Sequence, residues 1–253
     1  MKTITKIILV ILILALLVSG GLFLREQINL KQSEKQFDEI HDLINTGDGD
    51  DTPETPITPM EKYGAIFEKN EDFIGWIKID GTNIDYPVVY TPGNTEEYIH
   101  KSFEGNYAFA GTLFTDGNCM ISPDRVSDNI IIYGHNMKND SMFGMLDKYA
   151  DKSFYEEHKT FTFDTIYEYG TYEIVSVFRG DVLKKDESGF RFYTFLEAEN
   201  EDAYDAYISK IQSRALYDTG VTPKYGEKLL TLSTCISGKD DMRFVVVARK
   251  IAE

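Results

Sequence analysis

Cysteine and histidine are scarce in this sequence of 253 residues, which holds two cysteines and four histidines. A disulfide-rich scaffold and a cysteine-rich zinc site are excluded, because both need more thiols than Cys119 and Cys235 supply. One disulfide between the two stays arithmetically possible. The sequence also lacks an HExxH motif, a Walker loop, a GxGxxG turn after a strand and a GxSxG elbow. We therefore predict neither a metal site nor another cofactor.

Positive charge is in the minority, with 26 Lys and Arg residues against 42 Asp and Glu, which gives a formal net charge of −16. A chain this acidic is a poor candidate for sequence-independent nucleic-acid binding, because the phosphate backbone would repel it. Hydrophobic residues make up 42% of the sequence. That fraction is ample for a folded core, so global disorder is excluded as well.

An uncharged apolar run of 18 residues fills positions 7–24, after Lys2 and Lys6. As a helix it would be about 27 Å long at 1.5 Å per residue, close to the ~30 Å hydrocarbon core of a bilayer. It is either an uncleaved membrane anchor at residues 1–24 or a secretory signal peptide with its apolar region at 7–18. Apolar residues resume at Leu22, which favours the anchor. Lys and Arg lie on both sides of the run, so the positive-inside rule leaves its orientation open.

Residues 25–59 read as a juxtamembrane helix followed by a flexible linker. Leu30, Phe37, Ile40 and Ile44 recur at spacings of seven, three and four, which predicts a helix over 25–45. Positions 46–59 read TGDGDDTPETPITP, a composition typical of a flexible spacer. Their acidic run lacks the glycine and glutamate of a calcium loop, so we interpret it as solvated linker.

The remainder, residues 60–253, reads as one domain of short strands bounded by turns. Strands are predicted at 73–79, 83–90, 111–115, 129–133, 160–163, 172–178, 228–234 and 243–251. Helices are predicted at 141–149, 154–158 and 196–216. Many short strands with few helices indicate a mainly β fold, a barrel or a sandwich, and not a doubly wound α/β sheet.

Two of the predicted strands end at side chains that can carry chemistry. The strand at 129–133 runs into His135, and the strand at 228–234 ends at Cys235. Cysteine and histidine can act as a nucleophile and its acid–base partner. Taken singly, a cysteine after an apolar strand is more often a small buried hydrophobic residue. A histidine at a turn is more often a surface residue, so the pair alone leaves both interpretations open.

An arginine opens the next strand after Cys235. A hairpin over the intervening turn would bring Arg243 near Cys235, where its guanidinium group could steady an oxyanion. The alternative is a surface arginine that pairs with Asp240 or Asp241. Arg249 lies on the same strand face by parity but six residues further along, and is the weaker candidate.

The segments TLSTC at 231–235 and YGHNM at 133–137, with Arg243 opening the next strand, resemble the sortase family. The stretch WIKIDGTNIDYPVVY at 76–90 and the long helix at 196–216 are similar to class B sortases in particular. The resemblance covers residues 60–253. It implies a closed eight-stranded sortase-type β-barrel with a few inserted helices, preceded by an N-terminal transmembrane helix.

The resemblance also implies roles for individual residues. Cys235 would be the nucleophile, His135 the general acid and Arg243 the group that steadies the substrate carbonyl or oxyanion. Ser233 would contact substrate, and the helix at 196–216 would wall the binding groove. Cys119 matches no role, so we interpret it as structural or incidental.

The implied activity is that of a membrane-anchored cysteine transpeptidase. It would cut the C-terminal sorting signal of surface proteins after a Thr, hold the protein as a thioester, and pass it to an amine of a lipid-linked peptidoglycan precursor. The enzyme would be a single-pass protein of the cell membrane, with its catalytic domain on the extracellular face. No nucleic acid is expected among its partners.

Three alternatives stay open beside this interpretation. A sortase that polymerises pilin subunits would use a Lys of another protein as its amine. An L,D-transpeptidase is also a wall-acting Cys, His and Arg enzyme, but TLSTC does not fit its SxGC-type context. A non-enzymatic, membrane-tethered β-rich binding module would use some of the 32 Phe and Tyr residues as a binding face.

Overall fold

The computed structural model describes residues 2–44, 57–236 and 238–251, so positions 46–56 of the predicted spacer lie outside the described residues. The chain begins with one unbroken 40-residue helix, α1 (Lys2–His41). Its apolar side chains from Ile4 to Leu24 are exposed. Among the described helices it is the one long and apolar enough to cross a membrane. This fits the predicted N-terminal anchor.

The second half of α1 packs against the rest of the protein. Phe37 and Ile40 are buried, and Leu30 and Ile44 pack against the same core. The ring of Phe37 meets that of Tyr86 edge-on, with centroids 5.2 Å apart. The apolar stripe predicted over 25–45 is therefore the face by which the helix docks, and this part of α1 is held against the domain.

A second helix, α2 (Pro59–Lys69), begins inside the segment predicted to be linker. The hydroxyl of Thr58 accepts a hydrogen bond from the Glu61 amide, and the Glu61 carboxylate accepts one from the Thr58 amide. This reciprocal cap satisfies two amides at the start of the helix, and proline suits the first helical position. Tyr63 and Ile66 are buried in the core. The linker prediction was therefore wrong at its C-terminal end.

Eight strands close into a barrel in the order β1-β2-β3-β4-β7-β8-β6-β5. The pairs β2–β3 and β4–β7 are parallel, and the others are antiparallel. The predicted mainly β, closed eight-stranded barrel is confirmed, with each strand near its expected position. The strands are β1 (Phe73–Lys78), β2 (Asp85–Val89), β3 (Leu113–Thr115), β4 (Asn129–Tyr133), β5 (Thr160–Thr165), β6 (Thr171–Asp181), β7 (Leu229–Ile236) and β8 (Lys239–Ile251).

Two of the three predicted inserted helices are shorter than expected, and the one predicted at 154–158 is one residue longer and starts two residues earlier. The segment predicted at 141–149 forms only a 3₁₀ turn at Leu146–Ala150, because Met142 has a positive φ of 53° that a helix cannot hold. Next comes α3 (Lys152–Glu157). A second 3₁₀ turn, Phe192–Thr194, precedes α4 (Glu201–Gln212). The predicted helix at 196–216 starts late because Asn200 caps it, accepting from the Ala203 amide at 3.0 Å.

Candidate active site

Two parallel neighbours, β4 and β7, bring the predicted histidine and cysteine to one edge of the barrel. Tyr133 and Ser233 are partners across this pair. His135 and Cys235 follow them by two residues each. Because the carboxyl ends of parallel strands lie at the same edge of a sheet, both residues lie at the same edge of the barrel. Asn136 ties the two segments together by donating its side-chain amide to the Cys235 carbonyl at 3.1 Å.

Gly134, immediately before the histidine, packs closely against the side chains of Leu113 and Phe143. A Cβ atom at this position would lie 2.3 Å from a methyl carbon of Leu113 and 2.8 Å from the ring of Phe143. The Gly134 amide donates to the Ser233 carbonyl at 3.2 Å, and its carbonyl accepts from the Thr234 hydroxyl at 2.7 Å. The backbone that carries His135 is thus fixed on both sides.

Cys235 and Arg243 are paired directly across the β7–β8 hairpin. The register shifts between Cys235 and Ile236, and Ile236 pairs with Lys239, so β8 starts earlier than predicted. Arg243 donates to the carbonyl of Met242 at 3.1 Å. The predicted hairpin is therefore present, and it brings the guanidinium-bearing residue opposite the half-buried, free thiol of Cys235.

The other arginine of β8 lies at the far end of the hairpin. Arg249 pairs in register with Leu229. Its guanidinium binds the carboxylates of Glu173 at 2.9 Å and Glu227 at 3.2 Å. Arg249 thus cross-links the barrel away from Cys235. This agrees with its interpretation as the weaker candidate for the arginine that steadies an oxyanion.

One cleft of about 260 Å³ brings the four predicted site residues together. His135, Ser233, Cys235 and Arg243 all line it. The remaining lining is Thr95, Glu96, Ile99, Phe114, Tyr133, Gly134, Val182, Phe192, Tyr193 and Thr234. A mostly apolar cleft with a few convergent polar groups is the usual form of a ligand site.

His135 is held by the backbone of a segment between β2 and β3. Its Nε2 donates to the carbonyl of Ile99 at 2.8 Å, because a carbonyl can only accept. The titrating nitrogen is therefore Nδ1. Burial lowers the pKa of His135, and the nearby ring of His100 lowers it further, while the bond to Ile99 opposes both effects. The neutral imidazole is favoured.

Ser233 carries a hydroxyl for which the described part of the chain supplies no hydrogen-bond partner. The residue is 1% exposed, yet it lines the cleft. A buried hydroxyl without a partner costs about 1–3 kcal/mol. The oxygen itself has almost no accessible surface, so a ligand would reach it only after its neighbours move, and the substrate contact stays a prediction.

The segment 95–100, which no sequence pattern singled out, supplies one wall of the cleft. Thr95, Glu96 and Ile99 line the cleft, and the ring of His100 stacks on that of His135. The segment lies between two strands and carries no periodic pattern. The histidine at position 100 was the one chemical signal in it.

The helix α4 lies behind the cleft and contributes none of the described residues that line it. Its buried residues Tyr204, Tyr207, Ile208 and Ile211 pack in a second core cluster that includes Phe192. Phe192, in the 3₁₀ turn before α4, does line the cleft. The helix predicted to wall the groove supports the turn that lines this cleft.

Cys119 is packed within the barrel and lies outside this cleft. It is 3% exposed, and its thiol donates to the Asn129 carbonyl at 3.8 Å. Burial raises the pKa of the Cys119 thiol to about 12. It therefore stays protonated near neutral pH, which suits a structural residue. Among the described residues, no group of three or more His, Cys, Asp and Glu side chains could hold a metal ion.

Comparison with known proteins identifies related chains. The model of the Sortase domain family matches residues 77–251. Sortase B of Staphylococcus aureus (strain NCTC 8325 / PS 47) is 26% identical over 253 residues, which cover 99% of this chain and 98% of that protein. Sortase B of Listeria monocytogenes serovar 1/2a is 34% identical over 173 residues, 68% of this chain and 65% of that protein.

A solved structure agrees with these relatives. The crystal structure of sortase B from B. anthracis superposes with a TM-score of 0.72 at 27% identity. The superposition covers 89% of this chain and 99% of that chain. The similarity therefore extends over the barrel and its inserted helices.

Proposed function

The chain belongs to the sortase family of cysteine transpeptidases, as a class B member, and on that premise we propose that Cys235 is its nucleophile. The observation that carries this proposal is the shared cleft of Cys235, His135 and Arg243 at one barrel edge. Cys119, the other thiol, is buried with a raised pKa. It is therefore a poor nucleophile.

The proposed substrate is the C-terminal sorting signal of a surface protein, cut after a Thr. The Cys235 thiolate attacks the carbonyl carbon of that Thr, and Arg243 steadies the oxygen as negative charge develops on it. His135 donates a proton to the leaving amine as the C–N bond breaks. The surface protein then remains on Cys235 as a thioester.

The second half of the proposed reaction reverses the proton transfer. An amine of a lipid-linked peptidoglycan precursor attacks the thioester and loses a proton to His135. The new amide bond forms as the C–S bond breaks, and Cys235 leaves as the thiolate. The histidine and the cysteine are thus returned to their starting states, and the proposed scheme uses no cofactor in either step.

The protonation states that this scheme requires are rare at neutral pH. With ordinary pKa values, about 3% of cysteine is thiolate and about 24% of histidine is imidazolium at pH 7, so both occur together in about 1% of molecules. The environment of His135 lowers its pKa and makes the active pair rarer still. With these protonation states the proposed scheme is that of a slow enzyme with a minority active form.

The apolar run of α1 supports the proposed membrane location. This exposed run is long enough to hold the protein in a bilayer as a single-pass anchor. We place the catalytic domain on the extracellular face, because sorting signals and lipid-linked wall precursors meet there. The anchor would keep the barrel close to both partners.

Mass spectrometry of the full chain in detergent tests this function. The chain and its Cys235→Ala variant are incubated with a panel of sorting-signal peptides, with and without amines. The amines are an oligoglycine, a diaminopimelate-type amine and a lysine-containing pilin peptide. We expect cleavage after Thr and a thioester adduct on Cys235, both absent from Cys235→Ala and retained by the matched control Cys119→Ala.

The choice of amine separates the remaining alternatives. Product formed with a wall-type amine supports peptidoglycan attachment, and product formed with the pilin lysine alone would replace it with subunit polymerisation. A chain that cuts no peptide and shows no adduct on Cys235 would refute the assigned nucleophile and return attention to a binding module.

A further inference from the structure

Two aromatic side chains protrude beside the point where α1 leaves the barrel. They belong to the segment 107–109 between β2 and β3, which we call the aromatic loop. Tyr107 is 64% exposed and Phe109 is 40% exposed, while Ala108 between them is buried. A single exposed apolar residue is ordinary on a protein surface, but an adjacent exposed aromatic pair points to a contact surface.

The aromatic loop is fixed to α1. The Phe109 amide donates to the side-chain carbonyl of Asn29 at 3.1 Å. Tyr107 and Phe109 also share a small surface pocket with Leu22 and Arg25 of the helix. The loop therefore lies at a fixed position along α1.

That position can be measured from the end of the apolar run. Asn29 lies five residues beyond Leu24, or about 7.5 Å along the helix axis. The polar layer on each side of a bilayer is about 5–7.5 Å thick, since the full bilayer is ~40–45 Å and its core ~30 Å. When residues 7–24 span the core, Asn29 thus marks the outer edge of the headgroup layer, and the pocket shared with Leu22 and Arg25 puts the aromatic loop within that layer.

We propose that the aromatic loop inserts into the headgroup layer of the bilayer that holds α1, so that the barrel touches the membrane at a second point. The proposal rests on the membrane anchoring proposed above. Amphipathic aromatic side chains, tyrosine among them, are enriched at this depth in membrane proteins. Ile28, next to Asn29 in α1, is also exposed.

The contact would hold the catalytic cleft near the membrane surface. The ring of Phe109 stacks on His100 with centroids 6.3 Å apart, and His100 stacks on His135 at 5.2 Å. The aromatic loop and the cleft are thus two ring contacts apart. Because the second contact would prevent the barrel from tilting away from the bilayer, an amine carried by a lipid would reach the thioester on Cys235.

Aromatic insertion and charge attraction make different predictions. The chain carries a formal charge of −16, so anionic headgroups would repel it. The contact should therefore form on vesicles of zwitterionic phosphatidylcholine and persist at high salt, which screens charges but not apolar burial.

Site-directed fluorescence on the full chain in phosphatidylcholine vesicles tests the proposal. The background is Cys235→Ala, in which buried Cys119 stays unlabelled. An environment-sensitive dye is attached to Tyr107→Cys, or to Leu17→Cys in the middle of the apolar run. The matched control is Tyr225→Cys, an exposed tyrosine that precedes β7 at the end opposite Cys235. Each sample is exposed to aqueous iodide and to a lipid with a headgroup spin label.

We expect the headgroup spin label to quench the dye at position 107 and iodide to leave it unquenched. The dye at 225 should be quenched by iodide and keep its emission with the spin label. The dye at 17 must resist iodide, and if it does not, the membrane anchor itself is wrong. A shielded position 17 with a position 107 that matches 225 would overturn the aromatic contact alone. Resistance to iodide at 107 without lipid quenching would assign the loop to a protein contact and would also overturn it.

Discussion

The imidazole ring of His100 lies nearly parallel to that of His135, with centroids 5.2 Å apart and an angle of 16° between the planes. Ile99, the residue before His100, accepts a hydrogen bond at its carbonyl oxygen from Nε2 of the His135 ring. His100 is itself held by a hydrogen bond between its Nδ1 and the Phe109 carbonyl, 3.2 Å apart. Two adjacent residues thus fix both the edge and one face of His135.

This stack predicts that His100→Phe raises the pKa of His135. Phenylalanine keeps a flat ring in place but cannot carry the positive charge that disfavours a second imidazolium beside it. Because the folded pKa of His135 lies below the ordinary value, removing one cause of that shift moves it upward. Activity that depends on His135 should then have its acidic limb displaced to higher pH.

Proton NMR titration of the four histidines in a Cys235→Ala background measures the shift directly. Glu96, Cys235 and Arg243 also face the cleft, and Glu96 and Arg243 stay unchanged in both samples. The matched control is His41→Phe, which alters a histidine that packs against Trp76 away from the cleft. An unchanged His135 titration in His100→Phe would show that the stack has only a structural role.

The sequence located His135 and Cys235 because each follows a run of apolar residues long enough to predict a strand. Their proximity depends on the parallel pairing of β4 and β7, which joins residues about a hundred positions apart. No local pattern encodes such a pairing, and the family resemblance supplied it. The contacts of Ile99 and His100 with His135 were missed for the same reason.

The errors in the helices have two causes, one local and one tertiary. The cap formed by Thr58 and Glu61 was readable as the pattern Thr-x-x-Glu, but the proline-rich composition around it indicated a linker. At 141–149 the apolar spacing suited a helix. There Met142 has a positive φ, which prevents the helix that the spacing predicts. Its amide donates to the Tyr86 hydroxyl at 3.2 Å. Tertiary contacts decide such short segments.

Gly134→Ala should lower both stability and activity. The added methyl group would meet Leu113 and Phe143 at distances that no real Cβ adopts. Forcing extra volume into a packed site costs about 1–3 kcal/mol, and relief of the clash would displace the backbone of His135. Thermal unfolding and peptide cleavage measure the two effects. Gly64→Ala is the matched control, since a Cβ there meets open space within α2, and an equal loss in both variants would refute the steric argument.

Ser233→Ala should keep or raise stability and weaken catalysis. The hydroxyl has no partner among the described residues, so its removal leaves no new unsatisfied group. If the substrate supplies the partner, about 1 kcal/mol of binding is lost, a roughly fivefold fall in kcat/KM.

A second buried serine provides the comparison for Ser233. The hydroxyl of Ser176 donates to the Ile211 carbonyl at 2.9 Å. Ser176→Ala should therefore lose about 1 kcal/mol of stability and keep its kcat/KM. A loss of stability in Ser233→Ala equal to that in Ser176→Ala, with unchanged cleavage, would exclude the substrate contact.

Thr58→Ala tests whether the folded domain begins before Met60. The variant loses the hydroxyl that caps α2, which typically costs about 1 kcal/mol of unfolding free energy. A chain truncated before Met60 would lose both this cap and Pro59.

Glu61 forms the other half of the cap, and its hydrogen bonds to Thr58 lower its pKa. Its contribution is therefore present above the ordinary glutamate pKa and disappears as pH falls through the lower folded value. Glu61→Gln keeps the cap without the charge, so its thermal unfolding should lack this acid-dependent part. Equal stability of the parent and Thr58→Ala near neutral pH would show that α2 is held by the packing of Tyr63 and Ile66 alone.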